Sequence, residues 1–177
     1  TLARFRTAIA IFREANVLAE LYHPGIVRYV AHGVTPQGQL YLAMDWLEGP
    51  DLATRVARAP LGLAEGLSLC ARVAEALGAA HRRGVIHRDV KPSNCFLDAD
   101  DRVKVGDFGL AKSLIGPEQL TRSGSFLGTI LYASPEQIRH EAVDHRSDIY
   151  SVCATLYFLL TGRAPFVGET SISVAYQ

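Results

Sequence analysis

The chain is poor in cysteine. Its three thiols, Cys70, Cys95 and Cys153, have neither CxxC nor Cys/His spacing, which excludes a thiolate metal site and predicts reduced, mostly buried thiols in a cytosolic compartment. Net charge is also lacking: Lys plus Arg and Asp plus Glu both count 18, so no global basic field recruits nucleic acid or an anionic membrane. Any phosphate binding must be local. Long apolar runs are missing as well. The most apolar stretch, "IYSVCATLYFLL" at residues 149–160, is too short for a bilayer and predicts a buried helix with no direct membrane contact. No charged start leads into an apolar core and a small-residue cleavage site, so nothing signals secretion. What remains, 49% hydrophobic and 20% charged residues over 177 positions, suits one sizeable globular domain.

Phe5, Ile9, Phe12, Leu18 and Leu21 recur at roughly helical spacing, which predicts a helix over residues 2–22, stopped by His23-Pro24-Gly25. "GIVRYVAHGV" and "QLYLAMDWL" are β-rich runs joined by the turn "TPQGQ" and are expected to pair antiparallel. Asp51 is placed to cap a short helix, and Leu63, Leu67, Cys70, Val73, Leu77 and Ala80 mark one face of a long helix ending near Gly84. Short strands near 94–97 and 102–105 flank the turn "DADD". Residues 113–128 are polar and aperiodic, as a loop is. A short helix after Ser134-Pro135 and a longer one over 147–160 complete the pattern. No internal repeat is visible.

The densest chemistry lies in "HRDVKPSN" (87–94) and "GDFG" (106–109). Phosphoryl transfer to a hydroxyl needs charge neutralisation, an aligned acceptor and metal ions bridging the phosphates. Asp89, Lys91, Asn94 and Asp107 supply two carboxylates, an ammonium and an amide, and Mg²⁺ takes hard oxygen ligands of the kind Asn94 and Asp107 carry. Any one Asp alone is as readily a solvated loop residue. Asp98, Asp100 and Asp101 are read as turn residues.

"HRDVKPSN", "DFG" and "GTILYASPEQ" (128–137) together resemble the catalytic loop, metal-binding loop and substrate-docking segment of eukaryotic-type (Hanks-type) serine/threonine protein kinases, with Ser134 where Ala is usual. The wording of "HPGIVRYVAHG" and "LGTILYASPEQ" is similar to the bacterial members. The resemblance implies an α+β, two-lobe kinase-like fold. Residues 1–47 would be part of the small lobe, a helix plus strands, and residues 48–177 a mostly helical large lobe lacking its last helices. It implies Asp89 as base or hydroxyl orienter, Lys91 on the transferred phosphate, and Asn94 and Asp107 on Mg²⁺, with Mn²⁺ as a substitute. Met44 becomes the gatekeeper, Asp45 and Leu47 the main-chain partners of adenine, Asp51 a neighbour of the ribose and Phe96 the adenine floor. By bare composition Met44 and Phe96 are core residues.

Glu14 matches the helix glutamate that pairs with an ATP-binding lysine, though a surface helix charge reads the same way. Arg88 implies control by loop phosphorylation, with Thr121, Ser123 and Ser125 as acceptors. Thr129 occupies the position whose hydroxyl bridges Asp89 and Lys91. His87 and Phe108 are expected to stack with Tyr29 and Leu18, Asp148 to tether the catalytic-loop backbone, and Glu136 to meet an Arg of a later helix. ATP and protein Ser/Thr hydroxyls are the implied partners, and the cytoplasm, or the cytoplasmic face of the membrane, the implied place. No lysine precedes Lys91 and no Gly-rich loop precedes Glu14, which predicts a kinase domain truncated at both ends and inactive alone. Two rivals remain, a non-catalytic pseudokinase scaffold and a small-molecule kinase. Lys91-Pro92, Thr129 and "SPE" disfavour the second.

Overall fold

The computed structural model describes residues 17, 19–108, 125–168 and 173. Most of the helix expected over residues 2–22 lies outside them. Val17 and Ala19 are helical, and Gly25 then turns the chain, its N–H donating to His23 Nδ1 at 3.1 Å.

Strands β1 (Tyr29–Val34) and β2 (Leu40–Met44) pair antiparallel, with an irregularity between Tyr29 and Ala31. The expected turn joins them: Gly38 adopts φ 79°, which a side chain rarely tolerates, and donates to Thr35 O at 2.8 Å. Helix α1 (Leu52–Val56) starts at Asp51, whose carboxylate accepts from Thr54 N at 2.7 Å. Helix α2 (Leu63–His81) follows, ending where Gly84 takes φ 74° and Val85 N closes onto Ala80 O at 3.1 Å. A 3₁₀ turn (Pro92–Asn94) leads into β3 (Cys95–Leu97), paired antiparallel with β4 (Val103–Val105). The turn between them is held by Asp98 Oδ1, which accepts from Asp100 N and Arg102 N. Asp98 is thus a turn residue, as expected. Helices α3 (Ser125–Ile130), α4 (Pro135–Ile138) and α5 (His145–Thr161) complete the described part. Asp144 caps α5 at its start, and Gly162 at φ 73° ends it.

The core forms where α2 packs against α5 on one side and the β3–β4 hairpin on the other, with Leu52, Val73, Ala76, Ala80, Val105 and Leu159 fully or almost fully buried. The sequence misplaced part of the α2 face. Gly66, Leu69, Cys70, Val73, Ala76, Leu77 and Ala80 are buried, while Leu63 and Leu67 are 64% and 48% exposed. Gly66 explains the offset: a Cβ there would crowd Leu160 of α5, so the smallest residue sits at the closest approach and the leucines beside it turn outward. Helix α5 is buried on one face only, with Ile149 and Tyr157 outside. Cys70 and Cys95 are buried and Cys153, on the outer side of α5, is exposed, in keeping with thiols expected to be mostly buried. Residues 125–128, expected as loop, are helical. No helix among the described residues is long and apolar enough to cross a membrane.

The hairpin also joins the two halves of the site. On one side Val27 N donates to Val105 O and Val105 N to Gly25 O. On the other, Leu97 N donates to Pro50 O. The segment before β1 and the segment after β2 are thereby stitched to the same short ribbon, which leaves a cleft between them.

Candidate active site

That cleft, of about 530 Å³, is walled by Met44 of β2 and the extended segment 45–51 that follows it, with Phe96 of β3, Gly106 and Asp107 opposite. Met44, Asp45, Leu47, Asp51 and Phe96, which the sequence assigned to nucleotide binding, all line it. Val27, Trp46 and Gly106 line it too and were not picked from the sequence. The side chain of Trp46 is 89% exposed at the rim. Gly49 brings this wall against the hairpin, because any Cβ there would overlap the Leu97 carbonyl oxygen.

Beneath the cleft runs the loop 85–94. His87 is fully buried. Its Nδ1 accepts from Asp89 N at 3.2 Å and its Nε2 faces Gly106 O at 2.9 Å, so the ring is the neutral tautomer with its proton on Nε2. Burial pushes its pKa below the ordinary 6.5, against the pull of Asp148. The ring packs on Phe108 with centroids 4.5 Å apart. Phe108 and Tyr29 line one small cavity, and Leu18 is outside the described residues.

Asp148, fully buried on α5, accepts from His87 N at 2.9 Å, Arg88 N at 2.8 Å and His81 Nε2 at 2.7 Å. Three donors meet the cost of burying a carboxylate. This holds Arg88 at φ 64°, a left-handed conformation that is costly for a residue with a side chain. Asp89 comes next in the chain.

Lys91 Nζ donates to Asp89 Oδ2 at 3.1 Å and to Thr129 Oγ1 at 2.9 Å. Asn94 Nδ2 donates to Asp89 O at 2.9 Å and to Asp89 Oδ2 at 3.2 Å. One carboxylate oxygen of Asp89 is therefore held by an ammonium and an amide. Gly106 N donates to Asn94 O at 2.9 Å, which ties Asp107 to the same unit. Asp107 also has a left-handed backbone, φ 52°. Its carboxylate makes no hydrogen bond or ion pair among the described residues and faces the cleft. Glu136 accepts from Ser147 Oγ, which pulls its pKa below 4.5. The arginine expected for Glu136 belongs to a later helix than this chain was expected to include, and among the described residues its partner is a serine of α5.

Glu14, Thr121 and Ser123 lie outside the described residues, and of Ser125 only the backbone, at the start of α3, is described. Gln137 was not singled out from the sequence. Its Nε2 donates to Arg88 O at 2.8 Å.

The donor set suits a hard divalent cation. Asp107 offers an unengaged carboxylate, and Asn94, which spends its Nδ2 on Asp89, has its oxygen left. No cluster of three or more His, Cys, Asp or Glu able to hold a metal exists among the described residues.

Comparison with known proteins identifies the family. The family model for the protein kinase domain matches residues 3–177. The chain is 41% identical over 169 residues to the serine/threonine-protein kinase PknB of Mycobacterium leprae, covering 93% of this chain and 27% of the relative. It is 41% identical over 167 residues to PknJ of Mycobacterium bovis, covering 92% and 28%. The chain thus spans little more than a quarter of these curated relatives. Among solved structures, the crystal structure of Rad53 1–466 in complex with AMP-PNP superposes with a TM-score of 0.76 at 33% identity, over 95% of this chain and 42% of that one. By the match along its length and by its relatives, the chain belongs to the protein kinase domain family, among the bacterial-type serine/threonine kinases.

Proposed function

We propose that this chain carries the phosphoryl-transfer centre of a kinase that moves the γ-phosphoryl group of ATP to serine and threonine hydroxyls of protein substrates. One observation carries the reading: Asp89 is held by both Lys91 and Asn94 while Lys91 also reaches Thr129. That arrangement serves an in-line displacement. Asp89 orients the substrate hydroxyl and takes its proton as the oxygen–phosphorus bond forms and ADP leaves. Lys91 stands beside it to offset charge on the transferred group. Thr129 keeps Lys91 from collapsing fully onto Asp89. Asp45 and Leu47 offer main-chain groups to adenine above Phe96, beside Met44, and Asp51 lies toward the ribose. When bound, Mg²⁺ at Asn94 and Asp107 neutralises phosphate charge. The ATP analogue named for the Rad53 complex supports the choice of nucleotide.

Residues 1–90 contain no lysine, so no partner for Glu14 and for the α- and β-phosphates comes from them, and the 177-residue chain alone transfers little. Phosphoryl transfer from radiolabelled ATP to a basic protein tests both parts. The full-length protein should transfer phosphate with Mg²⁺ and stop with EDTA. Asp89→Asn should lower the rate about 10²- to 10⁴-fold, and Asp107→Ala should remove the metal dependence of ATP binding. Robust transfer by residues 1–177 alone would refute the second part. The rival scaffold reading predicts partner binding that needs no ATP and survives Asp107→Ala. That outcome in a full-length protein without transfer would replace the enzyme reading.

A further inference from the structure

Arg88 sits in a left-handed conformation directly before Asp89, and both polar groups of its backbone are held by side chains from distant helices. Its N–H goes to Asp148 of α5 at 2.8 Å. Its carbonyl receives Gln137 Nε2 of α4 at 2.8 Å. The Gln137 amide is itself fixed the right way round, because its Oε1 accepts from Ser134 N at 3.1 Å and from Ser134 Oγ at 3.3 Å. Ser134 is fully buried, so this orientation is not exchanged for water. The same segment reaches the loop a second time, at Thr129 on Lys91. Residues 129 and 137 therefore bracket the Asp89–Lys91 unit from both ends.

We infer that Gln137 is a positioning residue for phosphoryl transfer, acting as a donor that clamps the Arg88 carbonyl and so sets the direction in which Asp89 presents its carboxylate. The inference rests on the kinase reading above, and within it the serine at position 134 serves to aim the Gln137 amide. A chain with a hydrocarbon or an anion at 137 leaves the Arg88 carbonyl without its donor, and Arg88 is then freer to relax from its strained conformation. The metal and adenine residues are not touched by this change.

Gln137→Leu and Gln137→Glu in the full-length protein test it. Gln137→Glu keeps the size and still accepts from Ser134, but when ionised it has no proton for Arg88 O. Both variants should lose about 10- to 100-fold in kcat at pH 7.5, with KM for ATP within about twofold of wild type. Relative to wild type at each pH, Gln137→Glu should recover as pH falls and its carboxyl gains a proton, while Gln137→Leu should not. Hydrogen exchange gives an independent readout: amides of residues 85–92 should exchange faster in Gln137→Leu, with residues 63–81 unchanged. Wild-type kcat in either variant overturns the inference, as does a Gln137→Glu deficit that ignores pH. If the wild type shows no transfer that Asp89→Asn removes, the kinase reading fails. Exchange then decides the clamp: faster exchange confined to 85–92 sustains it, and unchanged exchange overturns it.

Discussion

His87 is neutral in the folded chain because it is buried and because its two nitrogens have opposite duties, Nδ1 accepting from Asp89 and Nε2 donating to Gly106. Burial disfavours the charged ring, so folding depresses its pKa below 6.5 against the pull of Asp148, and protonation would also take away the acceptor. The unfolded chain gains a proton as pH falls through about 6.5, and the folded chain does not until the pH is lower. The contribution of His87 is therefore complete above that value and is lost as pH falls through the window beneath it. Thermal unfolding should show a flat Tm from pH 8 to 7 and a decline from about pH 6.5 toward 5.5, before Glu136 and Asp144 begin to titrate. A Tm that stays level down to pH 5 contradicts this. His87, Asp89, Lys91, Asn94 and Asp107 were visible in the sequence because their types and spacing are local. Val27 and Gln137 were not, since each acquires its role from a partner far along the chain, Val105 for one and Arg88 for the other.

Helix α2 shows how an apolar count misleads by one position. A leucine at 63 or 67 scores the same in a periodicity as one at 69, yet only Leu69 of the three is buried in the core. Leu69→Ala should cost about 2–5 kcal/mol, and Leu67→Ala within about 0.5 kcal/mol of wild type, measured by urea denaturation. A comparable cost for both would contradict the packing register. The β3–β4 ribbon makes the opposite point: three-residue strands are marginal alone, but their pairing with residues 25–27 and 50–51 is what sets the cleft. The sequence revealed the strands and not these outer partners, because hydrogen bonds of the main chain carry no residue signature. Gly49→Ala should separate the cleft wall from Leu97. Its expected outcome is weaker ATP binding, by about tenfold or more in a calorimetric titration, with helix content unchanged by circular dichroism.

At the scale of the molecule, the described parts divide into a strand pair and a helical body that meet at the hairpin, with the cleft at their junction. Net neutrality means that, in the proposed reaction, phosphate charge would be met by a few residues, Lys91 and the groups around it, rather than by a general field. The overall family was therefore legible in motifs, whereas the geometry of the cleft came only from long-range contacts. Trp46 stands at the mouth of this cleft, and it is the chain's one tryptophan. An indole that is nearly bare to solvent emits at long wavelength, and a purine ring seated beside it would displace water and quench it. The chain thus carries an intrinsic optical gauge of its own occupancy. Emission excited at the tryptophan band should dim and shift to the blue as ATP is added, and Trp46→Phe should leave binding in place while silencing the signal.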